Sequence, residues 1–341
     1  MRYANCLPVT GASRSVICDL QRGLFHFIPT ILAEKLLANS FFSVEEWMAV
    51  YNHEHDDTIE EYIRFLIDHE MGMMTSEPEK FPVMSNEWKS PGSITNAIIY
   101  RKERKPSDLK KIISTLQDNG CVAVNINYLK KQAYDIILSD LEAFNQSGIK
   151  AVTISLVSDD YSTDQLKRLF LREKRLHKVT VFDARHTKTE KADHRGVTKF
   201  SERHPGKYYP KQPYEDFAIS IPFFTESLHH HTYFNRKVFI NDEGEICNTG
   251  NFNSTFGHIE TTDLQELLRD NAFTAYYNIR KNDLPVCNRC EFRNICMDRR
   301  IPVKDKKGNL VFEEECGYNP DIMKWKNEEG YEKPLEFKNK P

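Results

Sequence analysis

Between residues 94 and 184 the chain alternates strand-like and helix-like stretches, and that rhythm limits the architectures open to it more than any other feature. Residues 94–100 read as a strand, 107–118 as a helix ended by Asn119-Gly120, and 121–128 as the next strand. A helix over 129–145, a strand over 149–157, a helix over 163–177 and a strand over 179–184 follow. Such alternation predicts the α/β class, with a parallel sheet and helices packed across it by right-handed crossovers. A further strand is expected over 216–224.

With 341 residues the chain can hold two or three domains, each with its own core. Its longest apolar runs are strand-sized, and its start, MRYANCLPVTGAS, lacks the basic beginning and apolar run of an export signal. The expectation is a cytoplasmic protein with no membrane segment. A net charge of −3 gives no overall field toward nucleic acid, although residues 185–211 carry a local excess of Lys, Arg and His. Within 183–216, His186, His194 and His204 have no pairing that suggests a metal site, so this stretch reads as a mobile basic loop.

The first 82 residues have a different texture. Two β-type runs, 14–19 and 23–28, flank Leu20-Gln21-Arg22-Gly23, whose glycine suits a tight hairpin. Helices are expected over 30–38, 43–51 and 58–70, the last two opened by the capping boxes Ser43-x-x-Glu46 and Thr58-x-x-Glu61. Strands followed by three short helices give a winged-helix-like α+β module, an order that serves DNA, protein and peptide binders alike. The third helix carries Glu60, Glu61, Asp68 and Glu70 against Arg64 alone, which argues against nucleic acid.

Four of the eight cysteines lie close together near the C-terminus: Cys287, Cys290, Cys296 and Cys316. A Cys-x-x-Cys pair lets two thiolates from one turn reach the same ion or cluster, and the other two can complete a four-thiolate set. Zinc also accepts four thiolates, but structural zinc sites usually show two short-spaced pairs, whereas here one pair precedes two single cysteines. The spacing favours an iron-sulfur cluster, with zinc and unligated buried thiols as alternatives; a disulfide framework is the weakest. Residues 237–247 read as a hairpin turning at Gly244, Thr262-x-x-Gln265 as the cap of a helix to about residue 270, and residues 321–341, rich in Lys and Glu, as a disordered tail. Glu291, Arg293, Asp298 and Arg299 read as an ion-pair shell around the cysteines.

The run from Cys287 to Arg300, preceded by Asn241-Asp-Glu-Gly-Glu-Ile-Cys247 and by Phe256-Gly-His-Ile259, resembles the SPASM domain that follows the barrel of many peptide-modifying radical SAM enzymes. That family usually carries two auxiliary [4Fe-4S] clusters, one of them using a cysteine that here is Arg300. Cys247 alone has a counterpart among the other ligands of that cluster. The resemblance therefore implies one [4Fe-4S] cluster, on Cys287, Cys290, Cys296 and Cys316, with Cys247 as a possible extra ligand. It also implies that 90–235 is a shortened partial (β/α) barrel. The radical SAM loop needs three cysteines spaced x3 and x2 after the first strand, and the chain has none there, so no S-adenosylmethionine chemistry is expected.

The first 82 residues look like the leader-peptide recognition domain of enzymes that modify ribosomally made peptides. That family binds the leader as an added strand, which here implies a groove between Leu24, His26 and Ile28 and the helix bearing Tyr62, Phe65 and His69. The expected order is a recognition domain at 1–82, the barrel at 90–235, the SPASM domain at 236–320 and the tail. Together these look like the SPASM-domain maturases of grasp-with-spasm peptide systems, whose partners are an ATP-grasp ligase and a precursor peptide. The implied role is an adaptor, with no catalytic residue assigned. The alternatives are a redox enzyme acting through the cluster and a winged-helix redox sensor.

Overall fold

The computed structural model describes residues 1–102, 109–158, 160–192, 194, 196–205, 207 and 209–338. The fold is mixed α/β, and the chain divides into two compact units. One comprises Met1–Trp88, Pro210–Tyr233 and Ile279–Pro341; the other comprises Lys89–Tyr209 and Phe234–Asn278. Both ends of the chain thus belong to one unit, joined by a segment from its middle.

The first unit opens with an antiparallel sheet of β1 (Cys6–Val9), β2 (Ser15–Asp19) and β3 (Leu24–Ile28), in that order. The sequence reading missed β1 because Pro8 sits inside it; proline is tolerated there because β1 is an edge strand. The β2–β3 turn forms as expected. Asp19 Oδ1 accepts from the Gln21 and Arg22 N–H groups, both at 3.0 Å, and Gly23 takes φ +73°. Three helices follow: α1 (Thr30–Ala38), α2 (Val44–Val50) and α3 (Asp56–Asp68). Ser43 caps α2 as read, accepting from the Glu46 N–H at 3.2 Å. Thr58 does not cap α3, which begins a half-turn earlier because Asp56 and Asp57 suit the positive end of its dipole. Ile28, Leu32, Leu36, Trp47, Ile59 and Leu66 form the core of this part.

The second unit is built on nine strands. Along the chain these are β4 (Asn96–Arg101), β5 (Ala123–Tyr128), β6 (Ala151–Val157), β7 (Leu176–Phe182), β8 (Lys188–Lys191), β9 (Val197–Phe200), β10 (Lys237–Ile240), β11 (Glu245–Cys247) and β12 (Thr255–His258). Their order in the sheet is β12-β11-β10-β4-β5-β6-β7-β9-β8. Six neighbouring strands from β10 to β9 are parallel; β8 pairs antiparallel with β9 at one edge, and at the other β11 pairs antiparallel with both β10 and the edge strand β12. The crossover helices α4 (Leu109–Asp118), α5 (Tyr134–Glu142) and α6 (Thr163–Arg172) put Ile113, Ile137 and Leu169 against Ile99, Ile126, Ile154 and Val181. The expected first residues of α4, 107 and 108, lie outside the described residues. Parallel sheets usually carry apolar side chains on both faces. Here the strands alternate, and Asn125, Asn127, Thr153, Ser155 and Thr180 are half-buried on the opposite face.

The strand expected over 216–224 does not form: Phe217 makes an isolated bridge to Cys296, and 221–224 open α7 (Ile221–His229), in the first unit. Ser220 accepts from the Phe223 N–H at 3.4 Å and Pro222 sits in the first turn, a helix start that the aromatic run obscured. The 237–247 hairpin forms, with Gly244 at φ +88°. The helix after it, α8 (Leu264–Leu267), is a single turn capped by Asp263 rather than Thr262.

The C-terminal part of the first unit has little regular structure. Two small hairpins, β13 (Pro302–Lys304) with β14 (Leu310–Phe312) and β15 (Tyr318–Asn319) with β16 (Lys324–Trp325), precede α9 (Leu335–Lys338). Residues 321–338 of the segment read as a disordered tail are packed; 339–341 lie outside the described residues. Trp325 and Phe337 are buried, and Arg289 bridges Asp321 at 2.6 Å and Glu336 at 2.7 Å, so apolar anchors outweigh the Lys- and Glu-rich texture. Among the described residues no helix is long and apolar enough to cross a membrane.

Candidate metal centre and peptide groove

The Cys-x-x-Cys pair is presented by a 3₁₀ turn, Cys287–Arg289, in which the Cys290 N–H donates to the Cys287 carbonyl at 3.1 Å. Val286, just before it, is held at φ +67°. That conformation costs a β-branched residue about 1–3 kcal/mol and persists only where the surroundings enforce it. Here Val286 is buried with Leu284, Phe312 and Phe337, in the same cluster as Cys287. Cys290, Cys296 and Cys316 pack against Phe292, Ile295, Tyr318 and Trp325.

Each thiol lies within electrostatic reach of another, and the pairs close a ring. Cys287 is pushed up to about 12, first by burial and then, against the pull of Arg300 and Lys281, by Asp298 and Cys316. Burial also carries Cys290 well above the ordinary thiol range, with Glu291, Cys287 and Cys296 adding to it. Cys316 is raised by burial and by Asp298 and Cys296, against Arg300. Thiols held in this way keep their protons until a metal displaces them, so loading the site releases protons. Two backbone N–H groups already address sulfur, that of Phe292 at Cys290 and that of Tyr318 at Cys316. Among the described residues no three His, Cys, Asp or Glu side chains converge closely enough for a single ion. Zinc draws its thiolates to about 2.3 Å from one centre; a four-iron cluster is bulkier and spaces them farther apart.

The charges around the ring are unusual for a buried region. Lys281, 6 % exposed, donates from Nζ to the Cys296 carbonyl. Arg300, also 6 % exposed, pairs through Nη2 with Asp298 Oδ2 at 2.6 Å and through Nη1 with the Glu314 carbonyl at 2.9 Å. Its Nη2 lies 3.7 Å from the Cys287 sulfur, and its guanidinium covers the Phe312 ring at 3.8 Å. Burial works against the charge on Lys281, yet the sulfurs of Cys296, Cys287 and Cys290 once deprotonated, together with Asp298, outweigh it and hold the ammonium above its ordinary range. Burial likewise opposes ionisation of Asp298, but Arg300 drives its carboxyl far below the usual range. Glu291 is engaged separately through Oε1, by Arg14 Nε at 2.9 Å and the Tyr318 hydroxyl at 2.5 Å, while its buried Oε2 makes no hydrogen bond among the described residues. Lys281 and Arg300 therefore share Asp298 as their carboxylate. An unbalanced buried charge is costly, and metal-bound thiolates would supply the missing negative charge. Four free cysteines beside two buried cations are a donor set of the chemistry that a tetrathiolate-bound group uses.

The sequence signalled Asp298 but not Lys281, Arg14 or Tyr318. Lys281 stands in Arg280-Lys-Asn-Asp283, a run that reads as surface, and only the burial of Leu284 beside it draws the segment inward. Cys247 lies in the other unit, on β11; burial pushes its thiol up to about 11, and the thiol donates to the Glu245 carbonyl of the same strand.

The expected groove residues all lie in the first unit. His26 on β3 meets α3 edge-on, with ring centroids 4.5 Å from His69 and 5.9 Å from Phe65; Phe65 and His69 are themselves 4.3 Å apart. Leu24 is 52 % exposed at the start of the strand. Ile28 and Tyr62 serve the core instead: Ile28 is 3 % exposed, and Tyr62 packs on Trp47 at 6.2 Å. Arg22 closes one end, pairing with Glu70 at 2.5 Å. Strand β3 pairs with β2 on one side only, and its outer edge makes no backbone bond among the described residues. Phe25 and Phe27 turn the other way, onto Phe292 at 5.7 and 6.0 Å.

Comparison with known protein families and with curated proteins returns no match to this chain.

Proposed function

We propose that this chain is a maturation factor for a ribosomally made peptide, binding the precursor's leader along β3 against α3 and offering the core peptide to an ATP-grasp ligase. The observation that carries this reading is the open edge of β3 beside the His26–Phe65–His69 aromatic group. An edge strand offers backbone donors and acceptors to an extended peptide, and flanking pockets select its side chains. In the finer fold reading, residues 1–82 are a winged-helix-like recognition module, 90–235 a shortened partial barrel without a radical SAM loop and 236–320 a SPASM domain.

Cys287, Cys290, Cys296 and Cys316 would hold one [4Fe-4S] cluster, which when bound staples four distant points of the chain and can store one electron. Lys281, Arg300 and the N–H groups of Phe292 and Tyr318 would surround it with positive charge and donors. The same cations favour a second reading, a redox protein that works on the precursor through its cluster.

The test uses a fluorescently labelled leader peptide from the precursor encoded beside this protein, titrated with the full chain. Saturable binding that weakens at least tenfold in Phe65→Ala and His26→Ala supports the reading. Absence of binding by the metal-loaded wild-type protein removes it.

A further inference from the structure

We propose that Lys281 and Arg300 are built-in counter-charges that tune the cysteine-bound cluster to accept an electron, making it a reducible centre as well as a staple. This rests on the cluster assignment above and goes beyond it in giving the centre a redox role.

The argument is one of fixed charge in a buried place. Arg300 cannot swing out: two of its nitrogens engage Asp298, a third donates to the Glu314 carbonyl, and its plane lies over Phe312 with one edge 3.7 Å from the Cys287 sulfur. Lys281 reaches the ring from another segment and is bound through the carbonyl of a ligand residue, Cys296, rather than through a carboxylate of its own. Asp298 orients Arg300 and offsets only part of the positive charge. Four thiolates around a dicationic four-iron core form a dianion. If bound, such a cluster would become a trianion on taking one electron from a low-potential one-electron donor, with no bond broken and no proton needed. Buried cations next to sulfur favour the more negative form, and little solvent is present to screen them.

The test is a spectroelectrochemical titration of the full-length protein, purified without oxygen, with iron and sulfide measured on every sample. Lys281→Met should keep its iron but move the midpoint potential to more negative values, and Lys281→Arg should restore it. Asp298→Asn, which removes the opposing charge, should move the midpoint the other way. A purely structural role predicts no such pair of opposite shifts. If Lys281→Met loses the cluster, the sign of the Asp298→Asn shift decides alone. Unchanged midpoints, or shifts of the same sign, overturn the proposal. Wild-type protein that carries zinc and no reducible cluster overturns it together with the cluster assignment. Because the measurement needs no peptide, its result stands whether or not the leader binds.

Discussion

Each unit buries an ion pair with an aromatic partner, and the two groups close differently. In the sheet unit, Arg101 Nε meets Asp140 Oδ2 at 2.8 Å, Arg101 Nη2 reaches Oδ1 at 3.1 Å, and the Tyr128 hydroxyl donates to Oδ2 at 2.8 Å. One cation, one carboxylate and one phenol satisfy each other there. Near the cysteines, Lys281 and Arg300 share Asp298, with Phe312 packed beneath Arg300. In the first group one cation meets one carboxylate; in the second two buried cations share one, and under the proposed cluster assignment the thiolates would supply the rest. A buried ionic group that closes on itself is a structural device, and one left with surplus charge points to something bound.

The largest expected effect follows from that contrast. Cys287→Ser with Cys290→Ser should abolish metal binding, and hydrogen exchange should show residues 279–338 losing protection while the strands β4–β7 keep theirs. Small hairpins and short turns bury too little apolar surface to persist around uncompensated cations. Unchanged protection in 279–338 would mean that the region closes on itself after all, and the comparison would collapse.

The second effect probes the closed group. Asp140→Asn leaves Arg101 buried without its charge partner and should cost about 3–5 kcal/mol in denaturant unfolding. Metal content should stay at the wild-type level. A smaller control lies on the same unit: Ser162 and Gln165 form a reciprocal cap on α6, and Ser162→Ala should cost about 0.5–2 kcal/mol without touching either buried group.

How far the sequence reached follows the same division. The alternation over 94–184 located β4 to β7 and the helices between them, because each apolar side chain there reports a local and regular burial. The cysteines announced themselves by spacing alone. Residues 221–229 misled because Phe223, Phe224 and Ile221 suit strand and helix equally, and Ser220 with Pro222 decided for the helix. The packed end of the chain was hidden because Trp325 and Phe337 are isolated anchors in a charged run. Lys281 could not be found, since nothing in its neighbours marks a lysine for burial. Of the groove, the placing of His26 beside Phe65 and His69 is what the resemblance implied rather than what the residues spelled out, and the inward turn of Ile28 and Tyr62 depends on how α2 and α3 pack.

The smallest effect belongs to the groove, where charge is neither closed nor locked but titratable. Burial lowers the His26 pKa below the usual value of about 6.5; the neighbouring His69 lowers it further, and Asp19 opposes both. A histidine whose folded pKa is depressed contributes stability that is complete above its unfolded value and is lost as the pH falls through the folded one. The contact between β3 and α3 should therefore loosen in mild acid, as the unfolded or opened chain takes up the proton more readily. Arg22 and Glu70 pair at 2.5 Å at the end of the groove. His69→Gln removes the like-charge contribution and should raise the His26 pKa toward its ordinary value, read from the His26 ring signals in an NMR titration. An unaltered titration in His69→Gln would mean that burial alone sets the depression, and the two rings, though 4.5 Å apart, would be packing partners rather than a coupled pair.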